Sequence, residues 1–449
     1  MDQSFMRTKP VLPLVASMSL PMVLSMLVNS LYNIVDGFFV AKISEDAMTA
    51  LSLVFPMQNL ITAVTIGFSI GVSAVIAQRL GAGNQEEADG AAAQGLSLSV
   101  FHGVALSGMS IALAPWFLAM LTSSSPVLTL GLQYARTAFA FAVVIALGMT
   151  FEKIFQSGGR MTTTMLCMLA GCVTNILLDP VLIFGLGPVP AMGMYGAAIA
   201  TGLGQTVNFL LYVGLYLLRP LHVRLRREDA RPRWETARQL YAVGVPAALS
   251  MALPSLLISA LNLILSAWGQ GAVLVLGAYY KLQTFLYLPA NGVVQGLRPL
   301  IGYNYGAGDR RRVREVYQAA LAVTAGIMLA GTVLAWVMPE RLMGLFITSE
   351  GTVAAGAEAL RIISLGFLVS AVSVISTGAL EGMGMGRPSL GISLLRYVAL
   401  IIPLAFLLSR RWGPLGVWHA FWLTELAAAA VSWTVFRRKT GDSGADSGN

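Results

Sequence analysis

Charge is what this chain has least of. Only 11% of its 449 residues are Asp, Glu, Lys or Arg, and 56% are hydrophobic, whereas a soluble domain carries roughly 25% charged residues. That balance excludes an ordinary soluble domain. The two cysteines, Cys167 and Cys172, fall five residues apart within one expected helix, so there is neither a disulfide framework nor a metal spacing. The three histidines, His102, His222 and His419, are scattered. No cofactor is implied. No segment shows the period-two alternation of an outer-membrane barrel. The net charge of +8 invites a nucleic-acid partner, but the basic residues cluster in short connections between apolar runs, as membrane orientation requires. No nucleic-acid partner is therefore expected; the partner surface is the lipid bilayer.

What the chain does have is apolar runs of the roughly 20 residues needed to cross a bilayer, along nearly its whole length. Twelve spans are expected at 12–40, 47–77, 91–121, 131–155, 161–187, 193–219, 238–267, 272–303, 313–338, 353–379, 386–409 and 414–436. The first run has no small-residue cleavage site after it and reads as a retained span. The spans are one pattern written twice. Pro21, Ser25, Met26, Gln58, Gly71 and Arg136 recur as Pro246, Ser250, Met251, Gln283, Gly296 and Arg361, each 225 positions on. The loop Gly81-Ala82-Gly83-Asn84 recurs as Gly306-Ala307-Gly308-Asp309 at the same step. The expected fold is an all-α polytopic membrane protein, with twelve transmembrane helices in two pseudo-symmetric six-helix lobes around a central cavity. Tandem halves in an apolar chain are the usual plan of secondary transporters.

The lobes are expected at 1–220 and 238–437, joined by a linker at 221–237 and followed by a disordered tail at 438–449. The connection from Arg219 to Arg238 is rich in arginine. Arg7, Lys9, Arg79, Lys153, Arg160, Arg310, Arg387 and Arg437 fall on its side of the membrane, while the opposite side holds only Lys42, Arg341, Arg410 and Arg411. Both termini and the linker are therefore expected in the cytoplasm.

Charges within spans are functional-site candidates by default. Asp36 sits late in the first span. Asp179 sits in the fifth, four residues after Asn175 and so on the same helical face. Each carboxylate either caps a helix end near headgroup water or belongs to a site. Spans one and five run outward and span six returns, which puts Asp36, Asp179 and Thr201 in the outer half of the membrane. Two carboxylates, an amide and a hydroxyl at one depth make an oxygen-rich pocket for a proton or a small cation. Two carboxylates buried together cannot both ionise cheaply, and a cation with oxygen ligands relieves the repulsion. Proton and sodium compete for that place, and no metal other than sodium is suggested there. Lys281 lines the cavity, snorkels or pairs with a carboxylate. Gln58 and Gln283 are symmetry mates that suit either the cavity or helix–helix hydrogen bonds. Tyr32, Phe55, Phe151, Tyr280, Phe285 and Tyr287 either line a cavity, where aromatic faces attract organic cations by roughly 0.5–2 kcal/mol each, or pack against lipid. Arg136, Arg361 and Arg396 read as interfacial anchors, and Glu381 falls just beyond its span. Pro21 lacks an amide donor and is placed to kink the first helix. Nothing in the pattern argues for an enzyme.

On Pro21 and Asp36, on Asn175 with Asp179-Pro180, on the paired Gly-Ala-Gly loops and on the twelve-span duplication, the chain resembles the multidrug and toxic compound extrusion (MATE) family over residues 10–437. The resemblance implies two six-helix lobes around a V-shaped cavity and export of organic cations, xenobiotics among them, in exchange for protons or sodium by alternating access. It maps the family's N-lobe cation site onto Asp36, Asn175, Asp179 and Thr201. One branch also places acidic residues in helices 7 and 10. Here 238–267 has none and helix 10 has only Glu358 near its start, so the resemblance is closer to the branch that couples through the N-lobe alone. The rival expectation is a flippase for a lipid-linked oligosaccharide, whose anionic headgroup requires several cavity arginines or lysines, where the sequence offers mainly Lys281. A monomer in a prokaryotic inner (plasma) membrane is expected.

Overall fold

A computed structural model of the chain describes residues 3–218, 221, 223–226, 228 and 233–441. Much of the expected linker, with Arg219, Arg227 and Arg231, and the tail beyond Gly441 lie outside the described residues. Everything regular is helical, and no strand occurs among the described residues. A short turn, α1 (Phe5–Thr8), leads into α2 (Val11–Ala41), α3 (Glu45–Gly81), α4 (Gln85–Leu121), α5 (Ser125–Ala140), α6 (Ala142–Ser157), α7 (Met161–Phe184) and α8 (Met194–Leu218). The second repeat runs through α9 (Trp234–Ser266), α10 (Gln270–Gly306), α11 (Arg310–Val337), α12 (Pro339–Gly344), α13 (Glu350–Ser364) and α14 (Phe367–Gly382). It ends with α15 (Gly386–Leu394), a π-helical turn (Leu395–Leu400), α16 (Ile401–Trp412) and α17 (Pro414–Thr440).

Eight of these segments are long and apolar enough to cross a membrane, with Gly386–Trp412 counted as one, and the pairs α5–α6 and α13–α14 qualify as bent spans. The long helices α10 and α17 carry charges at Lys281, Arg298 and Glu425 that lower their hydropathy, and with them the spans number twelve. Large apolar side chains such as Leu12, Trp116, Leu217 and Leu263 are exposed, as expected where the solvent is lipid.

Two expected spans, 131–155 and 353–379, are not continuous. They bend by 46° between α5 and α6 and by 54° between α13 and α14. At each break the backbone switches to the tighter i→i−3 pattern: the Phe141 N–H donates to the Ala138 carbonyl, and the Leu365 and Gly366 N–H groups donate to those of Ile362 and Ile363. Phe141 and Gly366 are 225 positions apart, so the bend belongs to the repeat. The Gly-Ala-Gly loops are repeated in geometry as well as in sequence. Gly83 and Gly308 take φ of 75° and 74°, a left-handed conformation that glycine adopts without penalty. The next residue then caps the following helix: Asn84 Oδ1 accepts the Glu87 N–H at 3.3 Å, and Asp309 Oδ1 accepts the Arg312 N–H at 2.9 Å.

Packing divides the chain into two compact units. One is Leu24–Ala248; the other is Leu249 onward together with the residues up to Val23. Both divisions fall inside a helix, α2 or α9. The glycines Gly71 and Gly296 show what this entails within each unit. In the first, a Cβ on Gly71 would lie 2.3 Å from the Leu240 carbonyl oxygen of α9; in the second, a Cβ on Gly296 would lie 2.8 Å from the Met18 backbone of α2. Only glycine allows α3 and α10 to approach those backbones so closely. Replacing Gly71 or Gly296 by leucine should cost about 1–3 kcal/mol through overpacking and lower the melting temperature of the purified protein. Gly108→Ala, which meets nothing within 4 Å, should leave that temperature unchanged or raise it slightly.

Candidate functional site

Within the first unit, α2, α7 and α8 bring together the four residues singled out in the sequence. Asp179 is fully buried, Asn175 is 2% exposed and Asp36 is 9% exposed. Asn175 Nδ2 lies 3.4 Å from both Asp179 Oδ1 and Thr201 Oγ1, so one amide ties α7 to α8. The two helices can come this close because Gly171 and Gly204 face one another. A Cβ on either would stand 2.8 Å from the other's carbonyl oxygen. Tyr32, one turn before Asp36 on α2, lines the same cavity as Asn175 and Thr201.

Three oxygens at this site, Asp36 Oδ1, Asn175 Oδ1 and Asp179 Oδ2, are buried without a hydrogen-bond partner among the described residues. Buried polar atoms nearly always have partners, and unpaired buried carboxylate oxygens are the most costly to leave so. A proton or a small cation is the kind of ligand that would meet that deficit. The donor set is all oxygen and the chemistry is acceptor-rich, which fits a hard cation. No group of three or more His, Cys, Asp or Glu residues suited to a metal occurs among the described residues.

Several groups around the four were not legible beforehand. Tyr134 of α5 is 2% exposed, its hydroxyl accepts from Gln58 Nε2 at 3.1 Å, and it lies against Thr201. Gln58 thus serves this cluster through α5. Below the site a cavity of about 50 Å³ is lined by Asn29, Tyr32, Asn175, Thr201, Asn208 and Glu152. Glu152 is buried and paired with Lys153 at 3.0 Å, and Gln156 Nε2 donates to the same carboxylate oxygen at 2.8 Å. The missed signal was a stripe: Thr201, Gly204 and Asn208 recur at the i, i+3, i+7 spacing of one helix face, opposite Gly171 and Asn175.

The remaining candidates scatter. Phe151 is buried against Phe209 and Tyr216, while Phe55 and Phe285 are exposed. In the second unit, Tyr280, Gln283 and Tyr287 line a separate cavity of about 260 Å³. Lys281 is exposed, with its ammonium over the Phe346 ring, 5.6 Å from the centroid. Two expectations need correction. Arg396 is no interfacial anchor: it is 7% exposed, and its Nε lies 2.7 Å from Glu425 Oε1, because a charge nearly three turns inside a span must find a counter-charge. Glu381 lies within α14, which extends to Gly382, and it is paired with Arg298 at 2.6 Å.

Comparison with known proteins follows the same duplication. The MatE family model matches the chain twice, over residues 21–181 and 246–407. The chain belongs to the MatE family. It is thus a MATE transporter and a multi-pass membrane protein. Multidrug export protein MepA of Staphylococcus aureus is 26% identical over 438 residues, covering 96% of this chain and 95% of that one. A multidrug resistance MATE family transporter of the MOP superfamily, solved in an outward-facing conformation, superposes with a TM-score of 0.90 at 26% identity, over 98% of this chain and 97% of that one. MATE in a straight conformation superposes with a TM-score of 0.91 at 25% identity, over 98% of both chains.

The Asn175 amide should matter through Asp179 and Thr201 together. Asn175→Leu removes the bridge and one free oxygen, and should raise the ion concentration that half-drives transport about tenfold, the loss of roughly one hydrogen bond to a charged group. A dose–response of vesicle efflux against the driving ion measures it.

Proposed function

We propose that this MATE transporter exports small organic cations in exchange for protons or sodium, and that the coupling ion loads at Asp36, Asn175, Asp179 and Thr201. The observation that carries the reading is the set of three buried, unpartnered oxygens on two carboxylates and an amide. An empty site with two ionised carboxylates is costly in a membrane interior, and a bound ion removes that cost. An ion that binds one conformation better than another shifts the balance between them by its differential affinity. That is the requirement for alternating access driven by a gradient. The similarity to a multidrug export protein over nearly the full chain supports drug-like small molecules as the cargo. Helix α2 carries Asp36 in its second half and Pro21 in its first, so a change in helix shape at one is inherited by the other along a single backbone. With the basic connections on the linker side, the termini are assigned to the cytoplasm and the protein to a plasma membrane, as a monomer.

A flippase for an anionic lipid-linked sugar fits less well. Its headgroup needs uncompensated basic side chains, yet Arg298 and Arg396, both within the second unit's membrane helices, are each paired with a glutamate.

The deciding experiment is efflux of a fluorescent organic cation from reconstituted vesicles under an imposed proton or sodium gradient. The wild type should respond to one of the two gradients, and Asp36→Asn and Asp179→Asn should each lose at least about tenfold of that response, the loss of roughly one hydrogen bond to a charged group. A folded wild type that ignores both gradients would falsify the proposal. Pro21→Ala should keep ion binding but slow coupled efflux several-fold; unchanged efflux would remove α2 from the coupling path.

A further inference from the structure

We propose that the second unit holds a binding site of its own for the protonated amine of a substrate, with Glu425 as its acceptor and Arg396 as the residue that positions Glu425. The inference rests on the reading of the chain as an exporter of organic cations and names where one chemical class of them is held. The place is the cavity of about 260 Å³ lined by α9, α10, α17 and the π-helical turn.

The ion pair at its wall is unusual in geometry. Arginine and carboxylate commonly pair fork to fork, two nitrogens on two oxygens. Here Arg396 Nε at 2.7 Å and Nη2 at 2.6 Å both address the same oxygen, Glu425 Oε1. Nη1 donates to the Tyr397 hydroxyl at 3.2 Å, and Nη2 also reaches the Tyr287 hydroxyl at 3.4 Å. Each guanidinium nitrogen is thus engaged, while Glu425 Oε2 is buried with no partner among the described residues. The Arg298–Glu381 pair in this unit supplies the contrast. Arg298 likewise places Nε and Nη2 on one oxygen, Glu381 Oε2, but there the spare oxygen accepts the Ser389 hydroxyl at 3.1 Å. Glu425 has no such donor.

What Glu425 Oε2 lacks is therefore a donor. The Tyr280 hydroxyl and Thr424 Oγ1 are also buried and unpartnered, and both line the same cavity, so a ligand ammonium could donate to an acceptor-only carboxylate oxygen and to either hydroxyl. Tyr280, Tyr287 and Phe421 supply ring faces that favour a cation. An anionic ligand would meet the Glu425 carboxylate here, and four of the five Arg396 N–H groups are already engaged. The backbone gives a separate indication. Arg396 and Tyr397 lie on a six-residue π-helical turn, Leu395–Leu400, a rare geometry that recurs at functional sites.

The test is equilibrium binding of two radiolabelled probes to the purified full-length protein: phenethylamine, which carries N–H donors, and its trimethylammonium analogue, which has the same charge and ring but none. Wild type should bind the amine at least about tenfold more tightly, as a hydrogen bond to a charged acceptor implies. Glu425→Gln should abolish most of that preference. Because it leaves Arg396 without its counter-charge, the double variant Arg396→Gln/Glu425→Gln and the milder Tyr280→Phe serve beside it. The double variant should bind both probes alike, and Tyr280→Phe should weaken only the amine, by about threefold to tenfold. Asp179→Asn should keep the amine preference even where gradient-driven efflux is lost, which separates this site from the coupling site. Equal binding of the two probes by wild type, or an amine preference untouched in both Tyr280→Phe and the double variant, overturns the proposal.

Discussion

The structure turns on the cost of holding charge where there is no water. A carboxylate or guanidinium inside a hydrocarbon layer must be neutralised, paired or ligated, and each buried charge here shows which of the three it uses. Glu152 has Lys153, Glu381 has Arg298 and Glu425 has Arg396. Among the described residues neither Asp36 nor Asp179 has an ion pair, and Asp179 accepts one amide hydrogen bond, from Asn175. The two aspartates thus differ from those three glutamates, each of which has a counter-charge beside it. A paired carboxylate is indifferent to the ion concentration outside, whereas an unpaired one responds to it.

The helices are arranged to permit that. Gly171 and Gly204 let α7 and α8 meet backbone to backbone, which brings Asn175 within reach of Thr201 across the seam. Larger residues at those positions would separate the helices and open the bridge between Asp179 and Thr201. Close packing through small residues is the general way membrane helices associate, since lipid offers no hydrophobic drive. Here the same device also sets the distances within a polar site.

Most of the scaffold could be read from the sequence because it depends on period and repetition. The step of 225 positions located both Gly-Ala-Gly turns, and apolar run length located the helices within a few residues. The bends at Phe141 and Gly366 were missed because a single turn of tighter hydrogen bonding leaves no mark on hydropathy. Asp36, Asn175, Asp179 and Thr201 stood out as polar residues inside apolar runs. Arg396 and Glu425 were harder, since a pair 29 residues apart on two helices has no local spacing to announce it. Arg396 was misread for that reason, and Tyr134 and Glu152 were hidden because their importance comes from which helix lies opposite.

The duplication also shows how one scaffold carries two different sites. Stepping 225 positions from Asn175, Asp179 and Thr201 leads to Leu400, Leu404 and Leu426, and stepping back from Arg396 and Glu425 leads to Gly171 and Ala200. Equivalent helix pairs, α7 with α8 and the α15–α16 span with α17, thus hold polar groups at non-equivalent places. An acid pair without counter-charge is a place where an ion can change the energy of a conformation. A neutral arginine–glutamate pair is not, because its charges already cancel. The aspartate pair without counter-charge lies in the first repeat and the neutral Arg396–Glu425 pair in the second, so the two repeats offer an ion different electrostatics.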